Sequence, residues 1–307
     1  MDTFDLIIIG GGPAGITAGI YGARKKLKIL LITKDFVGQA GKAFSIENFP
    51  GFERIHGLEL IEKLKNQLKR FEITIVEGEN AKEIKKNKNL FRISVNKKDK
   101  YFSKTIIITS GRDPRPLEVP GEKEFLGKGV SYCVHCDAPL FKDKITAVVG
   151  GGNAALGSAL DLARYCPKVY LLEAGLKSVA DELIQERVKK NKKIEIIYNA
   201  KVKEIKGQKF VKLLVYQDQI SKKDIELPVE GVFIEIGSVP ATGFIRGLVD
   251  FNEKDEIKIN LKTCATKTPG LFAAGDVSEI KYKQIIIAAG EGAKAALSAY
   301  EYISKNE

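Results

Sequence analysis

The chain has 307 residues, of which 44% are hydrophobic and 29% charged, a composition that excludes a disordered protein and fits a folded globular one. Its net charge of +11 comes from lysines scattered among glutamates, with no basic block interleaved with aromatics, so nucleic acid is not an expected partner. No apolar run is long enough for a membrane span, and Met1 leads into an apolar strand with neither a basic start nor a cleavage site; the chain is expected in the cytoplasm, without leader or anchor.

In chain order, Asp5–Ile9 is a β-branched run and predicts a strand. Gly10-Gly11-Gly12-Pro13-Ala14-Gly15 follows, then a small-residue helix to about Lys25 and a second strand at Lys28–Thr33. Ile61, Leu64, Leu68 and Phe71 recur at helical spacing and predict one apolar helix face. Strands are expected at Ile73–Glu77, Leu90–Val95 and Thr105–Thr109. The opening pattern then returns: a strand at Ile145–Val149, Gly150-Gly151-Gly152-Asn153-Ala154-Ala155, a helix to Tyr165, and a strand at Lys168–Leu172. A helix near Asp181–Lys190 and further strands ending at Val232–Ile236 come next, and Leu271–Ala274 precedes a long helix from about Gln284.

Two strand–glycine turn–helix–strand units predict an α/β chain with two Rossmann-like dinucleotide-binding domains, three-layered in the ββα/αβ manner. Gly111–Pro116 and Gly237–Gly243 combine Gly and Pro between strand-like runs and look like hinges. Two crossings make the second domain, 113–240, an insertion in the first, which is 1–112 with 241–307.

Gly10, Gly12 and Gly15 form G-x-G-x-x-G between a strand and a helix. In that context the glycines let the backbone approach a pyrophosphate at a helix N-terminus, where free N–H groups and the dipole favour negative charge. A tight turn without a ligand is the plainer alternative. Gly150, Gly152 and Ala155 read the same way, and Glu173 stands at the end of the following strand, where a carboxylate accepts hydrogen bonds from a ribose 2′-hydroxyl. Asp35 in Thr33-Lys34-Asp35 is a poor counterpart in the first unit.

Cys133-Val134-His135-Cys136-Asp137 has the spacing of a redox dithiol. Half of a zinc site is the alternative, and it would need two more ligands. Cys166, Cys264, His56 and His135 make no second pair, and Cys166 and Cys264 read as small buried hydrophobes. Asp137 reads either as a helix cap or as an acid/base beside a thiol that gains and loses protons. Asp276, at the end of the Leu271 strand, could bond a sugar hydroxyl.

Together these residues resemble the low-molecular-weight thioredoxin reductase family along nearly the whole chain, with landmarks at Gly10–Gly15, Ile46–Gly51, Cys133–Asp137, Gly150–Ala155 and Gly275-Asp276. The likeness is closer to the reductase part of the alkyl hydroperoxide reductase flavoprotein subunit, through Gly129–Phe141 and Tyr282–Lys294. The resemblance implies a homodimer with FAD in the split domain, held by Gly10, Gly12, Pro13, Ala14 and Gly15. It adds Gln39, Asn48 and Gly111 to the FAD site, and Gly275, Asp276, Gln284 and Ile285 from the C-terminal part. It implies NADH in the inserted domain at Gly150, Gly152, Asn153, Ala154, Ala155, Glu173 and Gly237.

By the same resemblance, Cys133, Cys136 and Asp137 are catalytic. Cys136 faces the flavin, Cys133 attacks the substrate, and the domains rotate about the hinges between half-reactions. The N-terminal thioredoxin-like domain of that flavoprotein has no counterpart here, so electrons are expected to leave to a separate thioredoxin- or glutaredoxin-like protein. Two departures stand out. NADPH-using relatives carry a His-Arg-Arg and a further Arg where this chain has Glu173-Ala174-Gly175 and Val179, which favours NADH. Many relatives carry Glu where this chain has Gly157, which keeps open a flavin dithiol oxidase, a donor such as ferredoxin, or a non-catalytic redox sensor.

Overall fold

The computed structural model describes residues 3–43, 46–96 and 100–306, apart from the side chains of His135 and Cys136. It divides into two compact units, Met1–Asp113 with Val239–Glu307, and Pro114–Ser238.

The first unit opens with β1 (Thr3–Ile9), α1 (Pro13–Arg24) and β2 (Ile29–Thr33). A short helix α2 (Gly38–Gly41), α3 (Gly57–Leu68), β3 (Thr74–Glu77), β4 (Ala81–Asn87), β5 (Leu90–Val95) and β6 (Lys100–Ile108) follow. β7 (Arg112–Pro114) leads into the second unit, which contains β8 (Val130–Ser131), α4 (Val134–Asp137), β9 (Ile145–Val149), α5 (Asn153–Leu162), β10 (Lys168–Leu172) and α6 (Glu182–Lys190). It continues with β11 (Ile194–Ile197), β12 (Ala200–Gly207), β13 (Val211–Asp218), β14 (Asp224–Pro228) and β15 (Gly231–Ile234). β16 (Ser238–Pro240) leads back, and β17 (Leu271–Ala273) and α7 (Ile285–Asn306) complete the first unit.

Among the described residues, the first sheet runs β3-β2-β1-β6-β5-β4, with β17 also on β6. Its β1, β2, β3, β6 and β17 are parallel, so their C-terminal ends share one edge. Alternate residues explain the unbroken apolar runs: Ile7, Ile9, Leu30, Ile32, Ile106 and Ile108 enter one core, while Leu6, Ile8, Ile29, Leu31 and Ile107 enter another. Both faces are covered, as in a parallel sheet between layers. The second unit repeats the plan with the parallel sheet β11-β10-β9-β15-β8, its faces split between Val149, Leu172 and Val232 and Val148, Leu171 and Phe233. An antiparallel β12-β13-β14 sheet supplies its further layer.

Several boundaries differ from those expected. The helix α3 ends at Leu68, and Phe71 reaches the same core from beyond it. The helix α5 stops at Leu162, not Tyr165, because residues 163–165 turn tightly to seat the buried Cys166. The strand β4 is an addition: its lysines and glutamates face outward while Ala81 and Ile84 are buried. The two segments expected as hinges form β7 and β16, which pair as a two-stranded ribbon. No helix among the described residues is long and apolar enough to cross a membrane.

Candidate functional site

In the first unit the glycine turn leaves the C-terminal end of β1. Gly10 has φ +114°, a conformation L side chains rarely adopt, and a Cβ there would overlap the Thr109 carbonyl. A Cβ on Gly15 would overlap the Gly10 carbonyl, so α1 can pack this closely only with glycine there. Gly12 differs. It is the N-cap of α1 at φ −72°, has no side-chain cap bond, and a Cβ on it would meet nothing within 4 Å. Pro13 follows at N1, where no N–H is missed, and Ala14 is buried. An open cradle at a helix N-terminus is what a pyrophosphate requires, so these residues fit one.

The other expected FAD residues gather around the same sheet edge. A Cβ on Gly275 (φ +76°) would come 3.1 Å from Ala14 Cβ, which puts the end of β17 against the start of α1. Gly111 (φ +65°) has open space at its Cβ position, three residues beyond β6. Asn48 Nδ2 donates to Gln284 Oε1 at 3.0 Å, just before Ile285 opens α7, and Gln39 Nε2 donates to the Arg112 carbonyl at 3.2 Å. Asp276 is half-buried, and burial pushes its carboxyl above the ordinary value against the pull of Lys283 and Arg112. Those two cations both meet Glu256 at 3.0 Å. Burial works against Glu256 ionising, yet bonds from Asn252 and Lys283 hold its carboxyl below the usual range. Glu256 carried no motif, Lys283 and Arg112 lay in segments noted for other reasons, and only their convergence in space marks the three as a cluster.

The second unit repeats the cradle. Gly150 has φ +134°, and a Cβ there would overlap the Glu235 carbonyl. Gly152 is the N-cap of α5 with open space at its Cβ position. Ala155 is buried, and Asn153 and Ala154 form the exposed first turn, where Asn153 Nδ2 donates to Asp181 Oδ2 at 2.9 Å. Glu173 follows β10, and its Oε1 accepts from the Gly175 N–H at 2.6 Å. Its Oε2 lies where a Cβ on Gly151 would be, so the carboxylate sits directly against the turn. Ala174, Gly175 and Val179 are exposed and bring no cation to it. Gly237 (φ +98°) is open beyond the end of β15.

Cys133 is disulfide-bonded at the start of α4, the helix that also contains the backbone of Cys136. The Cys136 side chain, a predicted catalytic group, lies outside the described residues. Cys166 and Cys264 are free and buried. Ser131, which sequence patterns did not single out, organises the redox loop: its Oγ accepts from the Cys133 N–H at 2.9 Å and donates to Asp137 Oδ2 at 2.6 Å. Asp137 makes no capping bond to the following 3₁₀ turn, so the capping alternative does not hold. Asp137 and Ser131 also line a cavity of about 370 Å³, whose rim carries Lys144, Lys209, Lys212 and the exposed Phe210. No cluster of metal-ligating side chains occurs among the described residues.

Residues 4–295 match the family model described as pyridine nucleotide-disulphide oxidoreductase. An "NADH dehydrogenase" of Bacillus subtilis is 40% identical over 305 residues, covering 99% of this chain and 60% of that protein. An alkyl hydroperoxide reductase subunit of Staphylococcus epidermidis is 38% identical over the same coverage. The chain thus spans about 60% of the length of these curated relatives. The crystal structure of Lactococcus lactis thioredoxin reductase superposes with a TM-score of 0.90 at 36% identity, covering 98% of this chain and 99% of that one.

Proposed function

The chain belongs to the pyridine nucleotide-disulphide oxidoreductase family, and from that premise we propose that it is an FAD-dependent protein-disulfide reductase driven by NADH. The observation that carries this reading is the disulfide-bonded Cys133 beside the Ser131–Asp137 pair, in the unit that holds the Gly150–Gly152 cradle. The net reaction takes NADH, a proton and a partner disulfide to NAD⁺ and a partner dithiol. Bound FAD, for which the open Gly12 cradle is suited, supplies a two-electron relay between nicotinamide and disulfide.

The chain's own residues do the rest. With the pair reduced, Cys133 as thiolate attacks one sulfur of the partner disulfide, forming a mixed disulfide and expelling the other partner sulfur. Asp137, aimed by Ser131, provides the proton that this leaving thiolate takes up. Cys136 then attacks Cys133 Sγ, restores the Cys133–Cys136 disulfide and frees the second partner thiol. Glu173 against Gly151, with Ala174, Gly175 and Val179 carrying no guanidinium, supports NADH over NADPH. The lysine rim and exposed Phe210 beside Asp137 support a protein partner, thioredoxin- or glutaredoxin-like, because cations around an apolar anchor suit an acidic protein face. A homodimer and a cytoplasmic setting complete the proposal.

The test is NADH-driven reduction of a panel of thioredoxin-fold proteins by the FAD-loaded enzyme. Multiple turnovers of at least one of them are expected, lost in Cys133→Ser. Bleaching of the flavin by a dithiol and not by NADH would instead identify an oxidase.

A further inference from the structure

The chain that follows Glu173 is fastened back onto the second glycine turn. Ser178 Oγ donates to the Gly151 carbonyl at 2.6 Å, and the Val179 N–H donates to the same oxygen at 3.1 Å. The Asp181 N–H donates to Asn153 Oδ1 at 2.8 Å, while Asn153 Nδ2 donates back to the Asp181 carboxylate. At the other end, the Gly175 carbonyl accepts from the Asn199 N–H at 3.0 Å. Residues 174–181 therefore form a strap braced at both ends, with the side chains of Ser178 and Ala180 buried beneath it.

What the strap turns outward is apolar. Val179, Leu176 and Leu183 are 82%, 79% and 78% exposed, the highest values for large hydrophobic side chains among the described residues. Such side chains scattered singly over a surface need no explanation, but three in so short a stretch do. Because the strap is braced, Leu176 and Val179 cannot fold inward to escape water.

Nucleotide chemistry names what covers them. Glu173 stands at the head of the strap, with its Oε2 against Gly151. A ribose whose 2′-hydroxyl meets that carboxylate carries its base on the adjoining carbon, C1′. The pyrophosphate lies on the other side of the sugar, in the Gly150–Gly152 cradle at the end of β9. The base is thus directed past the end of β10, where the strap begins. A purine ring has two flat, largely apolar faces, and aliphatic side chains suit such a face.

We propose that Leu176 and Val179 are the platform for the adenine base of the dinucleotide and determine its preference for a dinucleotide over nicotinamide mononucleotide. The inference rests on the dinucleotide reading above and adds the part of that site which neither the glycines nor Glu173 supplies. Glu173 binds the sugar through a hydrogen bond, whereas the platform binds the base by removing apolar surface from water.

Calorimetric titration of ADP into the FAD-loaded, oxidised enzyme tests it. Reduced nicotinamide mononucleotide, which lacks the adenosine, is the contrasting probe. Leu176→Ser combined with Val179→Ser is expected to weaken ADP about tenfold, and each single change should give part of that loss. Leu176→Met combined with Val179→Ile keeps the apolar area and should keep the affinity. In the serine variant, reduced nicotinamide mononucleotide should bleach the flavin at an unchanged rate. Unchanged ADP affinity in that variant would overturn the proposal. A matching loss in the bleaching rate would also overturn it, by making the strap a mere support for the cradle. If ADP binding stays and self-association in sedimentation is lost, the patch belongs to a second copy of the chain and the proposal falls. An unmutated enzyme that binds no ADP would overturn the dinucleotide reading itself.

Discussion

Tyr132, the residue before Cys133, donates its phenolic hydrogen to Glu122, a carboxylate that is 2% exposed. Glu122 also accepts from the Leu117 N–H at 2.8 Å and the Glu118 N–H at 2.7 Å. One buried carboxylate therefore ties the redox loop to the segment on which the chain enters its second unit. Removing a single donor leaves the carboxylate under-bonded in a place water cannot reach. Tyr132→Phe is expected to lower stability by roughly 1.5–3 kcal/mol in urea unfolding, the range for bonds to charged groups. An unchanged midpoint would refute the assignment.

The same pair sets an alkaline limit. Burial, and then Glu122, raise the Tyr132 phenol above its ordinary value of 10.0. A raised folded value means the native state holds the proton more tightly. Its contribution is thus full below the ordinary tyrosine value and is lost as pH rises toward and through the raised one. Stability measured into the alkaline range should fall less steeply in Tyr132→Phe than in the unmutated protein.

Gly12 and Gly10 separate cofactor binding from folding. Gly12 lies at φ −72° with an open Cβ position, so Gly12→Ala should fold normally but put a methyl group where the pyrophosphate belongs. Its FAD content, read as flavin absorbance per chain, should drop while its circular dichroism stays native. Gly10→Ala must adopt φ +114° against the Thr109 carbonyl and should reduce stability itself. Full flavin content in Gly12→Ala would remove the pyrophosphate from that cradle.

Glu173 should govern the choice of nucleotide. A hydrogen bond to a charged acceptor contributes roughly 1.5–3 kcal/mol, or about 10- to 150-fold. NADPH would forgo that bond and place a phosphate near the carboxylate. Glu173→Ala should weaken NADH more than NADPH, narrowing the ratio of their kcat/KM values. Equal use of both nucleotides by the unmutated enzyme would misplace the ribose.

Asp137 should matter to one half-reaction only. Asp137→Asn is expected to slow partner reduction by about 10²- to 10⁴-fold, the range for a positioned acid/base, while NADH bleaches the flavin at its former rate. Ser131→Ala, which removes the 2.6 Å bond aiming that carboxylate, should cause a smaller loss of the same kind. A fall in both half-reactions would point to a disturbed fold instead.

Local regularities made much of the fold readable. β1 and β9 announce themselves because β-branched runs precede Gly-rich turns, and the alternation of Ile7 and Ile8 between two cores accounts for the lack of polar breaks. Pyrophosphate cradles are legible for the same reason, since each lies within a few consecutive residues. β4 was not: Lys82, Glu83, Lys85 and Lys86 dilute its apolar signal, and only pairing with β5 makes it a strand. Glu122 and Glu256 were invisible because each acts through partners that are distant in sequence or carry no motif, and Ser131 because a lone serine two residues before the cysteine pair has no spacing of its own to mark it. Arg112 and Glu256 stand 144 positions apart.

The ribbon of β7 and β16 bears on how such a protein can be rebuilt. Because the second unit's entry and exit strands are hydrogen-bonded neighbours, the whole stretch between them is one contiguous, removable cassette with both splice points at the same spot. A transplant would be spliced through three residues on each side, Arg112–Pro114 and Ser238–Pro240.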